Sequence, residues 1–208
     1  MSTVAQWRDQ LFYQPLSLGI IALVTCAALV FANQATHSAI IAAEERDLQN
    51  SLSEVLPAGH ADNSLLGDTL QIVATNGKLL TIYRSRQGGT VNGAVFQTSA
   101  RGYAGDIVVL IGVDADGTLL GARVIKHQET PGLGDKIEIA KAKWIEDFKG
   151  RSLAEPVPEK WGVKKDGGVF DQFAGATITP RAVVKAVKQG LEFFAAHRDE
   201  ILTSGEAK

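Results

Sequence analysis

Ile107-Val108-Val109-Leu110-Ile111-Gly112-Val113-Asp114-Ala115-Asp116-Gly117-Thr118-Leu119-Leu120-Gly121-Ala122-Arg123-Val124-Ile125-Lys126 reads as two strands joined by a tight turn. The run over 107–113 is almost continuously apolar, the pattern of a central strand buried on both faces. Asp116-Gly117 supplies the turn, because glycine accepts positive φ without a side-chain clash. The run over 119–126 alternates and predicts a half-exposed partner strand. Upstream, 69–75 and 79–83 flank Asn76-Gly77, a second hairpin signal, and 91–99 is a further strand. Hairpins rather than β–helix–β units predict an antiparallel sheet, and no period of 20–50 residues indicates a repeat architecture.

Downstream the period changes. Ile137, Ala140, Trp144 and Phe148 fall at helical spacing and predict a helix over 136–148, stopped by Gly150. An irregular stretch with Pro156 and Pro158 follows, and Asp166-Gly167 marks another turn. The last helix is expected over 180–202, with Val184, Val187, Leu191 and Phe194 in one stripe that covers the sheet. The fold class is therefore α+β, an antiparallel sheet with helices packed on one face.

The N-terminal part is different in kind. Residues 16–32 carry no charge, and as a helix they span about 26 Å. Weakly polar residues to Ile41 extend the run enough to cross about 30 Å of hydrocarbon. A cleaved signal peptide is the alternative, but the run is long, only Arg8 precedes it and no clear small-residue cleavage site follows. Arg8 and Arg46 flank it on opposite sides, so the charge rule gives no orientation. The expected organisation is a tail over 1–15, a transmembrane helix over 16–41, and a helical connector and linker over 42–67. The α+β domain covers 68–202, with a tail over 203–208.

Composition excludes several functions. With 21 basic and 23 acidic residues the net charge is −2, so no basic field argues for a nucleic-acid partner. The single cysteine, Cys26, lies inside the apolar run, which rules out an intramolecular disulfide and a cysteine-held metal cluster. His127, Glu129 and Asp135 are metal ligands by type, but their spacing fits no tetrahedral zinc pattern. Neither a nucleophile elbow nor a phosphate loop of the Gly-x-x-x-x-Gly-Lys type is present.

Two glycine-bearing stretches remain. In His127-Gln128-Glu129-Thr130-Pro131-Gly132-Leu133-Gly134-Asp135-Lys136, Pro131-Gly132 forces a turn and leaves Leu133 as an apolar tip. Such a tip is either an incidental exposed leucine or a clamp for a planar apolar group. In Phe170-Asp171-Gln172-Phe173-Ala174-Gly175-Ala176-Thr177-Ile178-Thr179-Pro180, small residues lead into the last helix, for which Thr179 is the expected N-cap and Pro180 the first helical residue. A helix N-terminus favours an anion, so Thr177 is placed to share a site with a phosphate. On these grounds alone the stretch is equally an ordinary small-residue turn.

The anchor, Ala100-Arg101-Gly102-Tyr103-Ala104-Gly105-Asp106, and the stretches 127–136, 161–170 and 171–180 together resemble the G subunit of the Rnf (Rsx) electron-transport complex. The related C subunit of the sodium-pumping NADH:quinone reductase shares the FMN-bind class. The resemblance implies FMN attached covalently through a phosphoester to the threonine of an Asp-x-x-[Ser/Thr]-Gly-Ala-Thr motif, here Thr177 preceded by Asp171, Gly175 and Ala176. This chain departs from that motif at Ala174, where a hydroxyl residue is usual. Contacts to the flavin from Glu129, Thr130 and Leu133 are implied as well. So are a Mg-dependent flavin transferase with FAD as donor, the other members of the complex as partners, and an inner-membrane location with the domain on the periplasmic side. The function implied is an electron relay in a complex that couples ferredoxin/NAD chemistry to ion translocation. The chain would be a redox subunit rather than a complete enzyme, with no catalytic residue and no metal of its own. A flavin-free, membrane-tethered binding or regulatory module is the rival reading; a self-contained flavin reductase has no room for a dinucleotide domain.

Overall fold

The computed structural model describes residues 13–74, 77 and 79–203. Five strands form one sheet in sequence order: β1 (Thr69–Val73), β2 (Leu79–Gln87), β3 (Thr90–Arg101), β4 (Asp106–Asp114) and β5 (Leu119–Lys126). Each pairs antiparallel with the next. The β4–β5 turn closes as its sequence predicts. Gly117 takes φ 87°, and the Asp114 carboxylate accepts the N–H groups of Asp116 (2.9 Å) and Thr118 (2.8 Å). In the β1–β2 turn Gly77 also has positive φ, 76°, while Asn76 lies outside the described residues.

The apolar run of β4 is explained by cover on both faces. Ile107, Val109, Ile111 and Val113 point to one side, into a core with Phe96 and the stripe Val184, Val187, Leu191 and Phe194 of the last helix, α2 (Ile178–Leu202). Leu110 points to the other side and packs with Val95, Leu52 and Val55. Gly112 and Gly121 permit this second layer: a Cβ on either would lie 2.7 or 2.8 Å from the Val55 carbonyl oxygen.

The chain divides into two compact units between Asp47 and Leu48. The first helix, α1, has the bounds Tyr13–Glu54, where the sequence pattern predicts a transmembrane helix to 41 and a separate helical connector. It is long and apolar enough to cross a membrane. Leu23 and Phe31 on it are exposed, at 70% and 74%. In the second unit the polar stretch 61–67, expected as a linker, is instead held against β2. Asp62 N–H donates to Arg86 O (2.8 Å), and the Asn63 side chain donates to Arg84 O (3.0 Å) and accepts from Arg86 N–H (2.8 Å).

The helix expected over 136–148 does not form. Two 3₁₀ segments, Asp135–Ile137 and Lys143–Phe148, take its place, separated at Glu138 and Ala142 by extended backbone. Tertiary contacts override the local pattern. Trp144 and Phe148 turn into an aromatic cluster, with Trp144 5.1 Å from Phe173 and Phe148 stacked 4.3 Å from Phe170, while Ala140 faces solvent.

A buried ion cluster closes the sheet edge. Asp68 accepts from Arg84 through Nε (2.8 Å) and from Arg86 Nε, and Arg84 also donates to Thr203 O (3.2 Å). Burial alone would raise the Asp68 carboxyl. Hydrogen bonds from Arg86 and Arg84, with their charges, outweigh it and hold the group below its ordinary 3.8. Its contribution to stability is therefore complete above that value and is lost as pH falls through the lower folded one. Melting temperatures followed from neutrality to about pH 2 should fall more steeply in the wild type than in Asp68→Asn, which starts lower. Equal slopes would remove Asp68 from the acid transition.

Candidate functional site

Two loops and a helix end converge on one cleft of about 290 Å³. The first wall is the β3–β4 turn, closed by Gly102 N–H to Gly105 O (2.8 Å). The N–H groups of Tyr103 and Ala104 point at Glu129 Oε1, at 3.0 and 3.1 Å. The second wall is the loop after β5, where Leu133 and Gly134 N–H groups donate to Thr130 O (3.2 and 3.0 Å) and Gly132 has φ 78°. The turn that Pro131-Gly132 predicts thus forms, and it leaves Leu133 43% exposed on the cleft.

The base of that loop is fixed by His127. Its Nδ1 accepts the Glu129 N–H (3.1 Å), so the proton resides on Nε2, which donates to Glu138 Oε1 (2.9 Å). His127, Glu129 and Asp135 do not converge. Glu129 is committed to the cleft, Asp135 lies 3.9 Å from Lys141 Nζ, and among the described residues no three His, Cys, Asp or Glu side chains cluster as a metal site.

The third wall is the entry to α2. Trp144 Nε1 donates to Asp171 O (2.9 Å) and Phe173 inserts beside the indole, which pins the chain before the turn. Gly175 takes φ 82°, and a Cβ there would lie 3.3 Å from Leu133 Cδ2, so a side chain would crowd the two walls together. The helix then starts two residues earlier than the Thr-Pro pair predicts: Ile178 is the first helical residue and Thr177 occupies the N-cap position. Thr177 has helical φ and ψ (−78°, −24°) and makes no side-chain capping bond. Its hydroxyl is therefore not spent on the helix. Thr179, expected as the cap, is buried and donates its hydroxyl to Glu129 Oε2 instead. Glu129, itself buried, thus joins all three walls through one carboxylate.

Of the residues singled out in the sequence, Glu129, Thr130, Leu133, Gly175, Ala176 and Thr177 line this cleft. Asp171 does not. Its carboxylate is exposed and pairs with Lys164 Nζ at 2.5 Å. Gly134, which the sequence places on a ligand face or against another backbone, lines the cleft too, as do Tyr103, Ile178 and Thr179, which the sequence pattern does not assign to it. The glycine pair around Tyr103 is the one local sign of that turn; no local sign announces the Thr179–Glu129 bond.

The arrangement suits a phosphorylated planar group. The first turn of α2, in which Ile178 is exposed and Thr179 and Pro180 are buried, presents the positive end of a 25-residue helix to an anion. Leu133, Tyr103 and Ile178 offer apolar surface next to it. The nearby Glu129 charge is compensated by two N–H donors and a hydroxyl, which lowers its repulsion of an anion.

Residues 102–192, from the β3–β4 turn into α2, match the family model for the FMN-binding domain, and among the described residues one helix, α1, is long and apolar enough to cross a membrane. The chain is 48% identical over 196 residues to the G subunit of the ion-translocating oxidoreductase complex of Cereibacter sphaeroides, covering 94% of this chain and 90% of that one. It is 47% identical over 192 residues to the G subunit of the same complex in Stutzerimonas stutzeri, with 92% and 84% covered. With the Pseudomonas aeruginosa G subunit it shares 44% identity over 210 residues, 98% and 97% of the two chains. Among solved structures, Shewanella oneidensis NqrC aligns over 69% of this chain and 72% of that one, with 24% identity and a TM-score of 0.48. The chain belongs to the family of G subunits of ion-translocating oxidoreductase complexes, in which it is a redox component of a translocase.

Proposed function

We propose that this protein carries FMN covalently through a phosphoester to Thr177 and relays electrons within its complex. The observation that supports this most directly is Thr177, a residue that lines the cleft at the N-terminus of a long helix and whose hydroxyl makes no capping bond. The FMN-binding domain match covers the same residues. When bound, the flavin supplies reversible one- and two-electron chemistry. The residues of this chain supply the rest. The α2 terminus would hold the phosphodiester charge and Leu133 would offer apolar surface to the ring system, while the Glu129 carboxylate keeps the three walls in register. Covalent attachment keeps the cofactor in place through repeated electron cycles.

In this reading a Mg-dependent flavin transferase installs the group from FAD. The Thr177 oxygen forms a bond to the FMN phosphorus, the pyrophosphate bond breaks, AMP leaves and the hydroxyl proton passes to a base of the transferase. Asp171, held by Lys164 on the exposed side of the motif, is then a recognition element for that enzyme rather than a flavin contact. Helix α1 anchors the domain in the inner membrane, on the periplasmic side, among the other members of a complex that exchanges electrons between ferredoxin and NAD. The test is direct: full-length protein co-expressed with a competent flavin transferase should run on a denaturing gel as a fluorescent band. A dark band under those conditions would end the electron-relay reading.

A further inference from the structure

We propose that Tyr103 is an aromatic contact of the flavin ring, fixed at the cleft by the turn that presents it; this rests on the flavin reading above. Tyr103 is 70% exposed, and among the described residues its side chain has no hydrogen bond, ion pair or ring contact. Yet its backbone is among the most firmly held in the site. Its N–H donates to Glu129 Oε1 (3.0 Å), the next N–H donates to the same oxygen (3.1 Å), and the turn is closed between Gly102 and Gly105 (2.8 Å).

The two glycines press the turn against the neighbouring loop. A Cβ on Gly102 would lie 2.6 Å from Glu129 Oε1, and one on Gly105 would lie 2.9 Å from Gln128 Oε1. A constrained backbone that holds out a large, unpartnered aromatic side chain serves something outside the protein's own core. The cleft indicates what that is. Tyr103 shares it with Thr177 and with two further exposed apolar residues, Leu133 (43%) and Ile178 (45%). A planar, largely apolar ring tethered at Thr177 would cover this surface, and an aromatic face is a favourable neighbour for it. The phenol also has a property that leucine and isoleucine lack: it is electron-rich, so it quenches an adjacent excited flavin by lending an electron that returns on decay.

That property gives a readout independent of turnover. Full-length wild type, Tyr103→Leu and Tyr103→Phe, each flavinylated and matched for flavin by absorbance, are compared for emission and for quenching by iodide. Tyr103→Leu should show a severalfold rise in emission and greater access to iodide. Tyr103→Phe should emit as brightly but stay shielded, since a phenyl ring covers the flavin without donating an electron readily. Equal emission and equal iodide access in all three would overturn the assignment while leaving covalent FMN intact. Absence of flavin from the wild type would overturn the cofactor reading and this one with it.

Discussion

Thr177→Val is expected to lose all covalent flavin while retaining the wild-type fold. Valine reproduces the branched shape of threonine and removes only the hydroxyl, which accounts for the whole proposed linkage. Nothing structural depends on that hydroxyl: it makes no capping bond, and the residue is half-buried at the helix entry. The change in stability should therefore stay within about 1 kcal/mol, so a melting curve close to wild type is expected beside a non-fluorescent band and an unmodified intact mass. Thr177→Ser keeps a hydroxyl on the same backbone and should be flavinylated. The neighbouring Thr179 cannot substitute, because its hydroxyl is buried and donated to Glu129. Flavin retained on Thr177→Val would mean a different acceptor and would remove Thr177 from the mechanism.

The contrast between Thr177 and Thr179 shows where the sequence is legible and where it is not. Strands and the last helix follow from periodicity, a property of neighbours in the chain, and these elements stand where their patterns put them. The apolar run over 107–113 and the stripe Val184, Val187, Leu191 and Phe194 meet in one core. The helix expected over 136–148 fails because its pattern is not what decides that segment. Trp144 and Phe148 have aromatic partners at Phe173, Phe170 and Trp161, which a straight helix does not have to respect. The local Thr179-Pro180 signal for a helix start loses in the same way to a partner 50 residues distant, Glu129. Candidate residues at 129–133 and 175–177 could be named from glycine-framed motifs and family likeness. That they share a cleft with Tyr103 depends on how β4 and β5 return the chain, and it becomes visible only in three dimensions.

Glu129 carries that convergence, and its removal should be the most damaging single change in the site. In Glu129→Ala, two backbone N–H groups and the Thr179 hydroxyl lose their common acceptor at a position where the residue is only 5% exposed. An unsatisfied buried polar group costs about 1–3 kcal/mol, and water entering from the open cleft will recover part of it. A net loss of about 2–4 kcal/mol is expected, or about 5–15 °C in melting temperature for a domain of this size. Flavinylation should fall as well, because the β3–β4 turn, the Leu133 loop and the helix entry are no longer tied to one another. Glu129→Gln separates the possible causes. Its amide oxygen can still accept both N–H groups, and its NH₂ can donate to the Thr179 hydroxyl, so the network survives with one donor reversed and the charge removed. Stability close to wild type in the glutamine variant, with a large loss in the alanine variant, would assign Glu129 to holding the walls by hydrogen bonding. Equal losses in both would mean that the negative charge itself is what the Tyr103 and Ala104 N–H groups and the Thr179 hydroxyl are arranged to hold.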